Sequence, residues 1–178
     1  PPELDWSRLD MTRAQFVAAV MNMMFDKNKN ALSKNTFKDV SSESAEANAI
    51  SLALQTGVLE IGSGYLNPNG AADLDFAVET ALNAMGYKPI AKLKGGKTAD
   101  YFLLPAANVI TAGVKTNGKK LSLDACYKLL YNMLSADIAA VKGAKDSGLE
   151  IETEKGVSLI NFYRDIYRGR GQVTATYL

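Results

Sequence analysis

The sequence predicts a mainly α chain: repeated helix–loop–helix units followed by a short α/β segment. Three observations carry that prediction. Stretches opening at Thr12, Asp73 and Ser122 each begin with a short polar residue and continue with apolar residues at helical spacing. Their likeness to one another marks an internal repeat. After about Ala140 the pattern changes to alternation and β-branched residues, which read as strands.

Taken in order, the first helix carries Phe16, Val17, Val20, Met21 and Met24 on one face. Thr12 and Gln15 have the spacing of a capping box, with a hydroxyl at the N-cap and an amide three residues on. Residues 26–35 are polar and rich in Asn and Lys, a loop. A second helix is predicted from N-caps at Ser41 and Ser42, through Ile50, Ala53 and Leu54, to a stop at Gly57. Residues 62–70 form a Gly/Asn/Pro turn. The helix from Asp73 buries Ala77, Val78, Ala81, Leu82 and Met85 and closes at Gly86 as a C′ residue. Residues 92–97, with their Gly-Gly pair, read as a linker, and a weaker helix covers 101–110, kinked or started by Pro105. The last strong helix places Ala125, Cys126, Leu129, Leu130, Met133 and Leu134 together. Beyond it, residues 149–152 and 172–177 are predicted strands, with a short amphipathic helix over 158–167 between them.

Composition narrows the function. With 47% hydrophobic and 22% charged residues among 178, the chain has the makings of a core. Twenty basic residues against 19 acidic leave a net charge of +1, so no broad field draws nucleic acid, and no nucleic-acid partner is expected. There is no histidine, the commonest general base and metal ligand. Cys126 is the single cysteine, and its apolar surroundings read as a buried small hydrophobe rather than a nucleophile. No run reaches the roughly 18–20 apolar residues of a membrane-spanning helix. Pro1-Pro2-Glu3 suggests a cut or mature end, and hence part of a longer protein.

Several short motifs fail on inspection. Asp26-Lys27-Asn28-Lys29-Asn30 starts like a calcium loop, but Ala31 holds the glycine place and Phe37 that of the bidentate glutamate. Gly62-Ser63-Gly64 has Asn67 where a dinucleotide fingerprint needs its third glycine. Lys94-Gly95-Gly96-Lys97 lacks the spacing of a phosphate loop. No carboxylate pair can be argued into an acid/base dyad, and neither cofactor nor metal nor enzymatic activity is expected.

The middle of the chain has a further order. Phe37-Lys38-Asp39-Val40 is followed by a helix ending over residues 50–57, then Val58-Leu59, glycines at 62 and 64, Leu66-Asn67-Pro68 and a second helix. That order resembles the S-layer homology repeat of bacterial cell-surface proteins. Met11-Thr12-Arg13-Ala14-Gln15-Phe16 looks like the Thr-Arg-Ala-Glu end of a preceding repeat, and residues 101–134 look like a third, eroded one with Ser122-Leu123-Asp124-Ala125 in that place. The resemblance covers roughly residues 9–136 and divides the chain into the end of a first repeat (1–34), a second (35–92), a divergent third (93–138) and a C-terminal segment leading into a β-rich region (139–178).

The resemblance implies a pseudo-threefold helical bundle, located outside the cell at its surface or wall, that anchors a larger protein to the envelope. Its expected ligand is secondary cell-wall polysaccharide, often carrying pyruvate ketals, and its other partners are protein subunits or the rest of the larger protein. Thr12, Arg13 and Gln15 are the expected ligand-binding residues, because a guanidinium at a helix start pairs bidentately with a carboxylate. Arg13 reads equally as a surface ion pair, and Thr12 and Gln15 read as caps. Leu74 and Leu123 replace the arginine in the other two units, and Ala45 replaces the usual tryptophan. This departure favours an alternative in which the same fold is an assembly module of a surface array or virion. Arg164, Arg168 and Arg170, interleaved with Tyr163 and Tyr167, are possible secondary contacts, weighed against tyrosines packed inward and arginines left in water.

Overall fold

A computed structural model describes residues 5–26, 28–32, 37–145 and 148–166. Among them are eight α-helices, a short 3-10 turn at Trp6–Arg8 and one antiparallel hairpin, so the architecture is helical with a small β element. The helices are α1 (Arg13–Met24), α2 (Ala47–Gln55), α3 (Leu74–Ala84), α4 (Lys88–Lys94), α5 (Thr98–Phe102), α6 (Pro105–Ile110), α7 (Leu123–Met133) and α8 (Leu159–Arg164). The hairpin pairs β1 (Asp137–Lys145) with β2 (Gly148–Ser158).

The three strong helices start as their sequences dictate. Thr12 Oγ1 accepts from the Gln15 amide at 3.2 Å, and Gln15 Oε1 accepts from the Thr12 amide at 3.0 Å, a complete capping box. Asp73 Oδ1 accepts from the Phe76 amide at 2.9 Å. Ser122 is the N-cap of α7, but its hydroxyl turns to the Asp124 carboxylate instead of the helix backbone.

A helix's first amides have no acceptor within the helix, and here the neighbouring units supply one. The Arg13 amide donates to Gly70 O at 2.8 Å, that of Leu74 to Lys119 O at 2.8 Å, and that of Leu123 to Leu9 O at 2.6 Å. Each acceptor lies three residues ahead of the next N-cap: Gly70 before Asp73, Lys119 before Ser122, Leu9 before Thr12. The bonds close a ring, first unit to second, second to third, third to first. α1, α3 and α7 also touch one another in all three pairings. Their buried faces, including Phe16, Val20, Ala81, Leu82, Cys126, Leu129 and Met133, join one apolar core that runs from Met11 to Leu159.

The shorter helices cover this centre. α2 packs on α1, α5 and α6 on α3, α6 also on α7, and α8 on α1. Two asparagines clip helix to helix: Asn83 Nδ2 donates to Val58 O at 2.9 Å, and Asn132 Nδ2 to Ile110 O and Ala112 O, both at 2.9 Å.

Several expectations need correction. α2 begins at Ala47, behind Glu46, because residues 41–46 form turns in which Ser41 Oγ takes the Glu43 amide at 3.2 Å. The helix expected over 101–110 divides into α5 and α6 with Pro105 opening the second, where its missing N–H costs nothing. The linker expected at 92–97 is half helical: α4 occupies Lys88–Lys94, has Pro89 in its first turn and ends at Gly95, whose φ of 136° only glycine adopts easily. The alternation at 149–152 lies in β2, but its partner β1 was not expected. The predicted strand at 172–177 lies outside the described residues.

Candidate functional site

The site begins at Arg13, the first residue of α1. Its Nη2 meets Asp73 Oδ2 at 2.8 Å and its Nη1 donates to Leu66 O at 3.3 Å. Its Cζ stands 4.8 Å from the centre of the Phe76 ring, which packs edge-on against Phe16. Asp73 thus serves twice, capping α3 with one oxygen and pairing with Arg13 through the other. The guanidinium is held at the seam between the first and second units, partly open to solvent.

Beside it the Phe37-Lys38-Asp39-Val40 segment shapes one wall. The Lys38 amide donates to Gly64 O at 2.8 Å, while the Asp39 carboxylate accepts from Leu66 N at 3.0 Å and Asn67 N at 2.7 Å. Burial opposes the Asp39 charge, but the amides of Leu66, Asn67 and Asp39 itself outweigh it and hold the acid below its ordinary pKa. Asp39 thereby clamps the turn expected over residues 62–70. Phe37, Ile50 and Leu66 are buried in the core.

The opposite wall is α4 and α5. Lys88 and Lys92, four residues apart on α4, both reach Glu60 Oε1 at 2.9 Å, and Lys88 also donates to Gly57 O at 2.5 Å. Those two ammonium groups lower the pKa of Glu60. Tyr101 on α5 donates to Asn83 Oδ1 at 2.7 Å. Burial first, then the charges of Glu79 and Glu60, push its phenol up to about 12, so it stays a neutral hydrogen-bond donor.

Arg13, Lys88, Lys92, Glu60, Glu79, Tyr65 and Tyr101 line a cavity of about 220 Å³. Small-molecule pockets usually run from roughly 300 to 1,000 Å³, so this one is small. Its lining carries three cations against two carboxylates, and one carboxylate is shared by two lysines. Guanidinium, ammonium, amide and phenol groups converge on it, paired in this structure with Asp73, Glu60 and one another. Among the described residues, no three His, Cys, Asp or Glu side chains gather to hold a metal.

No family model matches the chain. Neither the curated proteins nor the solved structures contain a significant match. Among the described residues, no helix is long and apolar enough to cross a membrane.

Among the expected site residues that the structure describes, only Arg13 lines the cavity. Thr12 and Gln15 spend their polar atoms on each other's backbone amides. Arg164 sits at the far end of α1, about 18 Å along the helix from Arg13 at 1.5 Å per residue. There its Nη1 donates to Phe25 O at 2.7 Å and Asn22 O at 3.4 Å, and its Nη2 pairs with Asp26 at 2.9 Å. The expectation of a solvated arginine is corrected, because the unsatisfied carbonyls at a helix C-terminus draw it in. Arg168, Arg170 and Tyr167 lie outside the described residues. Cys126 is buried, and burial, with Asp10 and Asp124 nearby, pushes its thiol up to about 12.

Glu60, Lys88, Lys92 and Tyr101 were missed from sequence. Lys88 and Lys92 have helical i, i+4 spacing, but residues 92–97 were read as linker. The asparagines carried a usable signal: Asn22, Asn83 and Asn132 each stand ten residues after an N-cap.

Proposed function

We propose that the chain is a non-catalytic cell-surface module of the S-layer homology type, anchoring a larger protein to a bacterial envelope by binding an acidic secondary cell-wall polysaccharide. The observation that carries this reading is Arg13, set at the N-terminus of α1 and opening into a small cavity with Lys88 and Lys92. A carboxylate on a sugar ring would compete with Asp73 and Glu60 for these cations, and the tyrosines and Asn83 supply neutral donors and acceptors for hydroxyl groups. Support for the repeat comes from the three-membered ring of helix-start amides and from the Asp39 clamp on the glycine turn. The module acts outside the cell, bound to the wall.

The test is co-sedimentation with purified cell-wall sacculi, before and after chemical removal of the polymer attached to peptidoglycan. Binding that disappears with the polymer supports anchoring. Equal binding to stripped sacculi, or none to intact ones, overturns it.

A second reading, assembly through protein contacts without sugar, is favoured by one observation. Leu74 and Leu123, at the positions equivalent to Arg13, pack against the apolar core and offer no guanidinium there. A chain that stays strictly monomeric and finds no protein partner in its native particle argues against that reading.

A further inference from the structure

The sequence holds two Asn-Gly pairs, Asn69-Gly70 and Asn117-Gly118, and each lies in a turn that supplies an acceptor to a helix start. Gly70 O takes the Arg13 amide and Lys119 O takes the Leu74 amide, both at 2.8 Å. Asparagine ahead of glycine is the peptide pair most prone to lose ammonia. Glycine has no Cβ to keep its own amide nitrogen away from the carboxamide before it. Whether that approach happens depends on how firmly each turn is held, and the two differ.

The first turn is tied at every side. Gly70 N donates to Asn67 O at 3.0 Å, and the Asp39 carboxylate takes the amides of Leu66 and Asn67. A Cβ on Gly70 would lie 2.3 Å from Asn67 Nδ2, so that side chain rests against the glycine. Bonded through both its N–H and its C=O, Gly70 cannot swing toward Asn69 Cγ without breaking bonds that also hold the start of α1.

The second turn is loose. Asn117 and Gly118 are both exposed, and nothing lies within 4 Å of where a Gly118 Cβ would stand. Among the described residues the Gly118 amide donates to no acceptor. The turn is closed by Asn117 N to Lys120 O at 3.3 Å and Lys120 N to Asn117 O at 3.2 Å. Both are at the long end for such bonds, and an exposed turn of this kind opens at little cost.

We propose that Asn117 is a site of spontaneous deamidation, a one-way modification that slackens the start of α3, and that the folded turn at Asn69 protects the other pair. The Gly118 amide nitrogen attacks Asn117 Cγ; a C–N bond forms, and the carboxamide nitrogen leaves as ammonia with the proton that Gly118 gives up. Water then opens the five-membered imide at one of its two carbonyls, giving aspartate or isoaspartate. Isoaspartate adds one carbon to the main chain, so the pairing of residue 117 with Lys120 loses its register. Lys120 also bridges Asp73, the N-cap of α3, and Lys119 O holds Leu74 N, so the change reaches the helix whose cap pairs with Arg13. The site stands whether or not the chain binds wall polymer.

The experiment ages the purified chain at pH 8 and 37 °C over several weeks, beside a sample unfolded in guanidinium chloride. Samples are digested with pepsin in acid, where deamidation is slow, and both Asn-Gly peptides are quantified by mass spectrometry. The expected result is that Asn117 converts at least tenfold faster than Asn69 in the folded chain, and that the two convert at similar rates once unfolded. Asn117→Gln abolishes conversion at that position and leaves the Asn69 rate as it was. Hydrogen exchange of the Leu74 amide is expected to be at least fivefold faster in the aged chain than in fresh protein, while aged Asn117→Gln keeps the fresh rate. Equal conversion of the two asparagines in the folded chain, or an Asn117 that stays intact while the unfolded chain converts, overturns the proposal. Conversion of Asn117 with Leu74 exchange unchanged overturns its coupling to α3.

Discussion

Gly86→Ala puts the closure of α3 to a quantitative test. Gly86 follows the C-cap Met85 with φ +85°, and Tyr87 N donates back to Leu82 O at 2.9 Å, a Schellman-type ending. A Cβ at this position would lie 2.4 Å from Ala139 O, on the strand whose own amide bonds Met85 O at 2.9 Å. Two costs add. Left-handed backbone costs an alanine about 1–2 kcal/mol, and forcing strand and helix apart adds about 1–3 kcal/mol of overpacking. The total of about 2–5 kcal/mol should lower Tm by roughly 4–20 °C, at about 2–4 °C per kcal/mol for a domain of this size. Gly118→Ala is the reference, because its φ is +63° and nothing lies within 4 Å of the added carbon. It should show only the left-handed cost. Calorimetry gives both Tm values, and hydrogen exchange at Ala139 reads the loosened hairpin. Equal losses in the two variants would refute the argument that the hairpin seats directly on the end of α3.

Three further outcomes follow from the same structure. Cys126, buried with a thiol pKa of about 12, should ignore Ellman's reagent at pH 8 in the native state and react fully once unfolded; rapid native labelling contradicts the packing of α7. Asp39→Asn keeps one acceptor for two amides and should cost about 1–2 kcal/mol at pH 7. Because the folded-state pKa of Asp39 is lowered, its stabilisation is present above the unfolded value and lost as pH falls through the folded one, so the wild-type advantage in urea midpoint should shrink in acid. Arg164→Met removes the partner of the α1 C-terminal carbonyls and should cost about 1–2 kcal/mol by urea titration. An unchanged midpoint would mean that α8 does not hold that end.

The helical centre was legible because its signals are local. The Thr12–Gln15 box, the Asp73 cap, the Gly86 ending and the 3.6-residue apolar faces each lie within one stretch of chain. α4 was hidden because only seven residues form it, with Pro89 in its first turn and a Gly-Gly pair following, all features that read as loop. β1 was hidden because Asp137–Lys145 has small residues and little alternation, and is a strand through pairing with β2. In the cavity, Arg13 was found by its motif. Its surroundings were not, because Glu60, Lys88 and Tyr101 converge only through contacts between residues far apart in the chain. Arg164 shows the same limit: its partner is a helix end some 140 residues earlier in the chain.

The most direct test of the anchoring account is a titration of solubilised wall polymer into the wild-type chain and Arg13→Leu. Leucine already occupies the equivalent positions 74 and 123, so the variant should fold. The account expects wild-type binding that weakens with added salt and falls at least tenfold in Arg13→Leu, with a small change in Tm. Equal affinity in the two proteins would contradict it and move the polymer, if it binds, away from the Arg13 cavity.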